Sequence, residues 1–351
     1  MKIAFTICSN NYLAQAKTLG DSILNFNPEY SFIIGLVDRK DSKVDYNFFR
    51  PHKIISVEEL LIPDFDKIWK KYNIIELNTS VKATYFKHIA ETHPEATILF
   101  YFDPDIQVFN SFNLLENELA SNDILLTPHI LSPMDLDEFS PSENLFLNYG
   151  LYNLGFLGLN IRSQRAKQML CWWEERTLKL GFDNVAQGFF VDQLWINLVP
   201  IFFSNVEIMK HLGCNAAPWN LHERRNIFFK NDKYFMEDGS ELLFYHFSSY
   251  KFNTPKLLSH NYSRFQFENC NDAVGQLYMD YHKVVMANCQ DIYEQIPCFY
   301  VDARNQYLLS KVESSTKFYS LSEGVKKIIR EFVPPFFLKV WKSYTNSKSN
   351  K

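Results

Sequence analysis

Residues 96–102 read ATILFYF, an uncharged and mostly apolar run. A strand with one wet face alternates apolar and polar residues, so an unbroken run of this kind predicts a strand buried on both faces. A chain built around such a strand must supply helices to cover it. The surrounding sequence does so. KIAFTICS (2–9) is a short β-rich run, Leu13, Ala16, Leu19, Ile23 and Phe26 then recur at helical spacing, and SFIIGLV (31–37) is a second strand candidate. HKIISV (52–57) follows, then a helical stretch through Trp69 and another from Ser80 to Glu91 with Val81, Tyr85 and Ile89 on one face. Strands alternating with helices predict an α/β sheet flanked by helices.

Further on, Leu114–Leu115 and Leu125–Leu126 suggest one more helix and strand, and the polar, proline-containing stretch 128–148 reads as a long loop of the kind that serves as a lid. YNLGFLGLN (152–160) is a strand, helices are expected from Ala166 to Leu178 and from Phe190 to Leu198, and Asn271–Tyr293 forms an amphipathic helix through Val274, Leu277, Tyr278, Tyr281 and Val284. No internal repeat is visible. With 46% hydrophobic and 22% charged residues the chain can bury a core, which excludes a disordered or collagenous class. The net charge of −4 gives no general case for nucleic acid. It is unevenly spread: residues 325–351 carry +6, leaving about −10 on the rest. That tail mixes Lys and Arg with Ile, Phe, Val and Trp341, which suits an anionic membrane surface as well as packing on the body. The six cysteines lie scattered without a CxxC pair, so reduced, mostly buried thiols are expected rather than a zinc site or disulfides. Neither a secretory leader nor a spanning segment is apparent, which places the chain in the cytoplasm, with the tail as a peripheral contact. Its wealth of Asn, Lys, Phe, Ile and Tyr looks like the product of an AT-rich bacterial genome.

The chemistry concentrates in YFDPDIQVF (101–109), where Asp103 and Asp105 follow the buried strand directly. Ligands of open α/β sheets bind beyond the carboxyl ends of strands. Carboxylate oxygens suit Mg²⁺ or Mn²⁺, which can bridge a pyrophosphate. A solvated turn is the plain alternative. A phosphatase motif of the D-x-D-x-[TV] type would need Thr or Val where Gln107 stands, and the first strand leads into CSNNYL without the glycines of a phosphate loop.

Taken in order, the blocks resemble the GT-A fold nucleotide-sugar glycosyltransferases of the family 8 type and their bacterial relatives. ICSNNYLAQAKTLGDSI resembles the first strand and helix that hold the nucleotide base, VKATYFKHI the helix with a donor-binding lysine, and YFDPDIQVF the metal-binding D-x-D. YNLGFLGLN resembles the strand beside the donor sugar and VDQLWIN the D-Q motif. NAAPWNLHER and YHFSSYKFN resemble the late asparagine block and the block in which a histidine completes the metal shell. The likeness spans roughly residues 1–255. It departs at Ser9-Asn10-Asn11, where many relatives place an acid for uracil, and at Ser249, where the family usually has glycine.

This resemblance implies a metal-dependent hexosyltransferase that moves sugar from a nucleotide sugar, a UDP-sugar in most relatives, to a glycan or lipid-linked acceptor with retention, in surface polysaccharide or lipopolysaccharide synthesis. It implies Mn²⁺ (or Mg²⁺) on Asp103, Asp105 and His246, with Asp103 also on the donor. Thr6, Asn11 and Tyr12 would border the base, Lys82 and Lys251 the phosphates or hydroxyls, Asn153 and Gly155 the sugar. Asp192 and Gln193 would stand at the sugar and the reacting face, and Trp219, Asn220 and Arg224 would wall the acceptor side. Each has a structural alternative: a buried hydrogen-bonded His246, a solvated Lys82, a helix-start Asp192 serving the macrodipole. The resemblance also implies a GT-A (Rossmann-like) mixed α/β sheet flanked by helices, in a catalytic domain over 1–255 (nucleotide half about 1–110, acceptor half about 111–255), with a mainly helical extension over 256–351 that ends in the basic aromatic tail 325–351. The competing functions are an inactive sugar-nucleotide or glycan-binding relative and a metal-dependent phosphohydrolase.

Overall fold

The structure, a computed structural model, describes residues 1–318. In chain order its first strands are β1 (Lys2–Cys8), β2 (Tyr30–Leu36), β3 (Lys53–Ser56), β4 (Ile98–Phe102), β5 (Ile106–Val108), β6 (Ile124–Pro128) and β7 (Tyr152–Asn160). All but β5 join the strand Val206–Ile208 in a seven-stranded sheet, ordered Val206–Ile208, β6, β7, β4, β1, β2, β3. β7 runs antiparallel to β4 and β6, and every other neighbouring pair is parallel. Parallel neighbours need crossovers, and the helices supply them: α1 (Leu13–Phe26) lies between β1 and β2, while α2 (Phe65–Lys71), α3 (Ile74–Ser80) and α4 (Lys82–Thr92) lie between β3 and β4; α5 (Asn113–Ser121) leads into β6. The expected mixed α/β sheet flanked by helices is what forms, with further helix in the C-terminal region.

Strand alternation divides the apolar residues into two cores. Ala4, Cys8, Phe100 and Phe102 meet α1 and the helix Asp272–Ala287 on one face. Ile3, Phe5, Ile7, Leu99 and Tyr101 meet α4 and α7 (Gln164–Leu180) on the other. β7 breaks the alternation. Its pairing with β6 passes from Leu126↔Leu157 to Pro128↔Tyr152, so that Tyr152 and Leu154 share a face with Leu157 and Leu159. The extra residues of this bulge hold Asn153 and Gly155.

Several helices differ from their expected extents. The stretch 128–148 is not all loop, because Pro128 closes β6 and Glu143–Tyr149 forms α6. The helix expected from Phe190 to Leu198 shrinks to α8 (Gln193–Ile196), since Phe189–Phe190 pairs with Asp183–Asn184 and Val191 takes a left-handed φ of 40°. The helix expected over 271–293 breaks after Ala287, where Asn288 donates to Thr18 Oγ1 at 2.9 Å and Cys289 has φ 66°. All six cysteines are free, but only Cys8 and Cys214 are fully buried and Cys171 is exposed.

Residues Met1–Val301 form one compact unit, so the helix Asp272–Ala287 packs within the same body as the sheet. Asp302–Lys351 is a second unit, helical through Phe318 where it is described. The basic tail over 325–351, expected at an anionic membrane, lies outside the described residues. Among those, no helix is long and apolar enough to cross a membrane.

Phe100 stands at the middle of the first core, with its ring against those of Tyr30, Phe102, Phe112 and Phe156. Removing a fully buried ring loses its transfer energy and leaves a cavity, so Phe100→Ala should cost ~3–5 kcal/mol. Urea unfolding against the parent measures it; a loss below 1 kcal/mol on the same scale would mean the core is not closed here.

Candidate active site

After β4 the chain turns through Asp103-Pro104-Asp105 and leaves the main sheet. Asp103 N–H donates to the Gly155 carbonyl at 2.8 Å, which fixes the turn against the bulge of β7. β5 then pairs antiparallel with the strand Phe244–His246, with Ile106 opposite His246. Phe247 N–H donates to the Asp105 carbonyl at 2.9 Å, and His246 N–H donates to the Ala216 carbonyl at 2.8 Å. The imidazole is thereby set between the two carboxylates, its Nε2 lying 3.0 Å from Asp105 Oδ1 and 3.9 Å from Asp103 Oδ2.

Burial disfavours a charged imidazole, yet Asp105 and Asp103 outweigh it and raise His246 above the usual histidine value. Burial likewise opposes the Asp105 carboxylate, and the His246 imidazole reverses that, holding it below the usual carboxylate range. One ligand atom from each of the three residues lies within 4.8 Å of the others. Donors bound at about 2.0–2.2 Å on one octahedral ion stand roughly 3–4.3 Å apart, so small adjustments of this trio suffice for a divalent cation. The donor set, two hard oxygens and an imidazole, suits Mn²⁺ or Mg²⁺. Gly155 makes the arrangement possible: a Cβ there would stand 2.5 Å from His246 Nδ1 and 2.7 Å from Asn153 Oδ1.

Beside the trio lies a second charged group. Lys82 is only 2% exposed, far from the solvated lysine of its plain alternative. Its Nζ stands 2.8 Å from Asp192 Oδ2 and 3.8 Å from Asp103 Oδ1, and donates to the Leu154 carbonyl at 3.1 Å. The ammonium also sits over the Tyr101 ring, 4.3 Å from its centre, while Tyr101 Oη donates to Asp103 Oδ1 at 2.5 Å. Burial pushes the Asp192 carboxyl up, against the pull of Lys82. Gln193 braces β7: its Oε1 accepts from Leu154 N–H at 3.0 Å and its Nε2 donates to the Tyr149 carbonyl at 2.8 Å. Both ends of that amide are occupied. Asn153 accepts from Gly155 N–H at 3.0 Å and from Asn215 Nδ2 at 3.1 Å.

The base-binding expectations meet a mixed outcome. Thr6 has no exposed surface at all, being covered within the sheet, and so does not border a ligand cleft. Tyr12 is partly exposed and lines a recess with Asp105, Ser249 and Lys251. Asn11, half-buried, immediately precedes it, whereas Asn10 is the asparagine tied into the fold, through Asp38, the Arg39 carbonyl and Tyr46. Ser249 has φ 59°, so the backbone takes the turn that a glycine would favour.

Trp219, Asn220 and Arg224, expected to wall the acceptor side, are buried and structural. Trp219 Nε1 and Asn220 Nδ2 both donate to the His129 carbonyl at 3.0 Å. Arg224 pairs with Glu223 and donates to the Leu212 carbonyl. Glu223 accepts from Leu131 N–H and Ser132 Oγ, and Arg264 grips Asp137 with two nitrogens at 2.7 and 2.8 Å. The stretch 128–148 is therefore anchored by side chains from two later segments. Three residues escape sequence reasoning: Tyr101, which reads as core within ATILFYF, and His129 and Asn215, both buried and both bonded to Asn153. Only the lead position of Asn215 in NAAPWN hinted at a role.

His129 is packed against Phe146 and Trp219, and burial pushes its imidazole down to about 3. The unfolded chain takes up that proton near pH 6.5 and the folded chain does not, so stability should fall by about 1.4 kcal/mol per pH unit between pH 6.5 and 3. His129→Phe should be less stable at neutral pH yet decline less steeply on acidification. Urea unfolding at pH 7, 5.5 and 4.5 tests this; parallel declines in the two proteins would remove His129 as the cause.

No protein-family model matches the chain. Among curated proteins it is similar to two uncharacterized proteins of Bacillus subtilis (strain 168): YfnF, 24% identical over 249 residues covering 70% of this chain and 80% of the relative, and YfnD, 21% identical over 256 residues covering 72% and 78%. Among solved structures it is similar to the galactosyltransferase LgtC in complex with donor and acceptor sugar analogs, at 16% identity, 82% and 96% coverage and a TM-score of 0.46. It is also similar to the glycosyltransferase GlyE of Streptococcus pneumoniae TIGR4, at 13% identity, 85% and 65% coverage and a TM-score of 0.44. The chain is thus similar, across most of its length, to glycosyltransferases of known structure.

Proposed function

We propose that this chain is a metal-dependent glycosyltransferase that moves a hexose from a nucleotide sugar, a UDP-sugar in the first instance, to a glycan or lipid-linked acceptor with retention at the anomeric carbon. The observation that carries the reading is the meeting of Asp103 and Asp105 with His246, from a strand much later in the chain, at the carboxyl end of β4. Those three residues would hold Mn²⁺ or Mg²⁺, and the cation, when bound, supplies positive charge for the leaving diphosphate. The protein's own groups do the rest. Lys82 keeps Asp103 and Asp192 from repelling each other, and the Tyr101 hydroxyl orients the Asp103 carboxylate toward the site. Asp192, 2% exposed and held by Lys82, positions that lysine. A tied and buried carboxylate is a poor nucleophile for a double displacement, which favours attack from the side of the departing diphosphate. Gln193 positions β7, and with it Asn153 and Gly155 beside the sugar. Tyr12 and Asn11 border the nucleotide, and Lys251 at the rim attracts its phosphates. A cytoplasmic site of action, a tail over 325–351 touching an anionic leaflet, and a role in surface polysaccharide or lipopolysaccharide synthesis complete the reading.

The test is to incubate the protein with a panel of nucleotide sugars, Mn²⁺ and candidate acceptors, and to measure nucleoside diphosphate and glycosylated product. A chelator should abolish turnover, and Mn²⁺ or Mg²⁺ should restore it. Asp105→Asn keeps shape but removes a charged ligand, so turnover should fall by about 100-fold or more with little change in melting temperature. Undiminished transfer by Asp105→Asn would falsify the reading, and release of phosphate from simple esters without sugar transfer would replace it with hydrolysis.

A further inference from the structure

Asp38 stands just past the end of β2 and has no exposed surface. β1 and β2 run parallel, so it lies at the same end of the sheet as the short helical turn Asn10–Tyr12 that follows β1. Burying a carboxylate is costly unless it is hydrogen-bonded, and backbone N–H groups meet this one. Asn10 donates to its Oδ2 at 3.3 Å, while Arg39 and Phe299 each donate to its Oδ1 at 2.9 Å. One buried anion thus ties the turn after β1 to the first residue of the helix Phe299–Phe318. Further contacts close the same joint. Asn10 Nδ2 donates to the Arg39 carbonyl at 2.8 Å, and Tyr46 Oη donates to Asn10 Oδ1 at 2.7 Å. The Arg39 guanidinium lies over the Phe299 ring, 3.9 Å from its centre. The Tyr293 ring packs on Phe48 and Phe49, and that of Tyr300 on Phe65 and Trp69.

Asp38 and Asn10 are sealed from solvent, so neither touches a ligand. The residues they carry are accessible: Asn11 is half-buried, and Tyr12 is 38% exposed. A turn of three residues has little structure of its own, and its orientation follows from what grips Asn10. A planar base binds well to a surface already in place, because ordering side chains during binding lowers affinity. A diphosphate held on a cation at Asp103, Asp105 and His246 has no such dependence. We propose that Asp38, with the segment from Tyr293 to Tyr300, positions the Asn11-Tyr12 edge for the nucleotide base. A stretch beyond the residues that carry the family resemblance thereby governs affinity for the base half of the donor. Asp38 is a positioning residue, acting through Asn10, and its assignment rests on the nucleotide-sugar reading above.

Asp38→Asn keeps the size and removes the charge and one acceptor oxygen. Phe299→Pro deletes the N–H donated to Asp38 at a first helical position, where proline is tolerated. Calorimetric titration of the full chain with Mn²⁺ compares inorganic pyrophosphate, which has no base, with UDP, CDP, ADP and GDP. The nucleotide that binds most tightly should exceed pyrophosphate about tenfold in the parent. Each variant should bind that nucleotide about tenfold more weakly while pyrophosphate affinity holds. With the matching nucleotide sugar, KM should rise and kcat stay. Should either variant fail to fold, Tyr46→Phe, which removes only the hydroxyl on Asn10, takes its place in the comparison. Parent-like nucleotide affinity in a folded variant overturns the proposal, and so does an equal loss for pyrophosphate, which would mark a general effect on the fold. A parent that binds no nucleotide more tightly than pyrophosphate also overturns it, since the turn then meets no base. Selective loss of nucleotide in a protein that transfers no sugar leaves the proposal standing and removes the transferase reading.

Discussion

Because Ile106 pairs with His246 and the Phe247 N–H donates to the Asp105 carbonyl, residues 103–105 cannot shift without carrying the imidazole with them. Five ordered points converge on this short ladder: the end of β4, the turn at Asp103, the bulge of β7, the Ala216 carbonyl and the strand Phe244–His246. The sheet supplies rigidity and the ladder supplies convergence. The trio is built on backbone pairing, and Gly155 leaves the room it needs. It is the absence of a Cβ that lets His246 approach.

The second constraint is electrostatic. Asp103, Asp105 and Asp192 crowd one end of the sheet with His246 and Lys82 between them. Gathering charge in a region of low dielectric is costly unless each group is paired and hydrogen-bonded. The site lessens that cost by sharing: Lys82 serves two carboxylates and a carbonyl, Tyr101 donates to Asp103, and His246 stands against both members of the turn. The arrangement leaves Asp103 and Asp105 partly accessible while Lys82 and Asp192 are sealed, so the outer groups can meet a ligand and the inner pair holds them in place.

Much of the architecture was legible in the chain. ATILFYF marked β4, KIAFTICS and SFIIGLV marked β1 and β2, and helical spacing located α1, α4 and α7, because period and run length report burial directly. The carboxylate pair after β4 was legible for the same reason, since its address follows from the strand. Where the chain misled, backbone irregularity was at work. Left-handed residues at Val191 and Cys289 cut short two expected helices, and neither residue type advertises that conformation. The place of Thr6 in its block suggests a base contact, but helices on both faces of β1 bury it, and the late block expected as an acceptor wall turns inward, where the Trp219 indole, the Asn220 amide and the Glu223 carboxylate anchor residues 128–148.

The sequence by itself determined that this chain would build a mixed α/β sheet, that two aspartates would stand at the end of its central strand, and that His246 and Lys82 were candidates to join them. Only the tertiary structure decided which residues touch. It turned Lys82 from a surface lysine into a buried counter-ion, made Tyr101 a donor to Asp103, and brought Tyr281 from a late helix to the wall beside Asp105. The physical reason is that hydrophobic period is a local signal, set by neighbours three or four residues away. Charge pairing and hydrogen bonding act over a few ångströms between segments that only the folded sheet brings together.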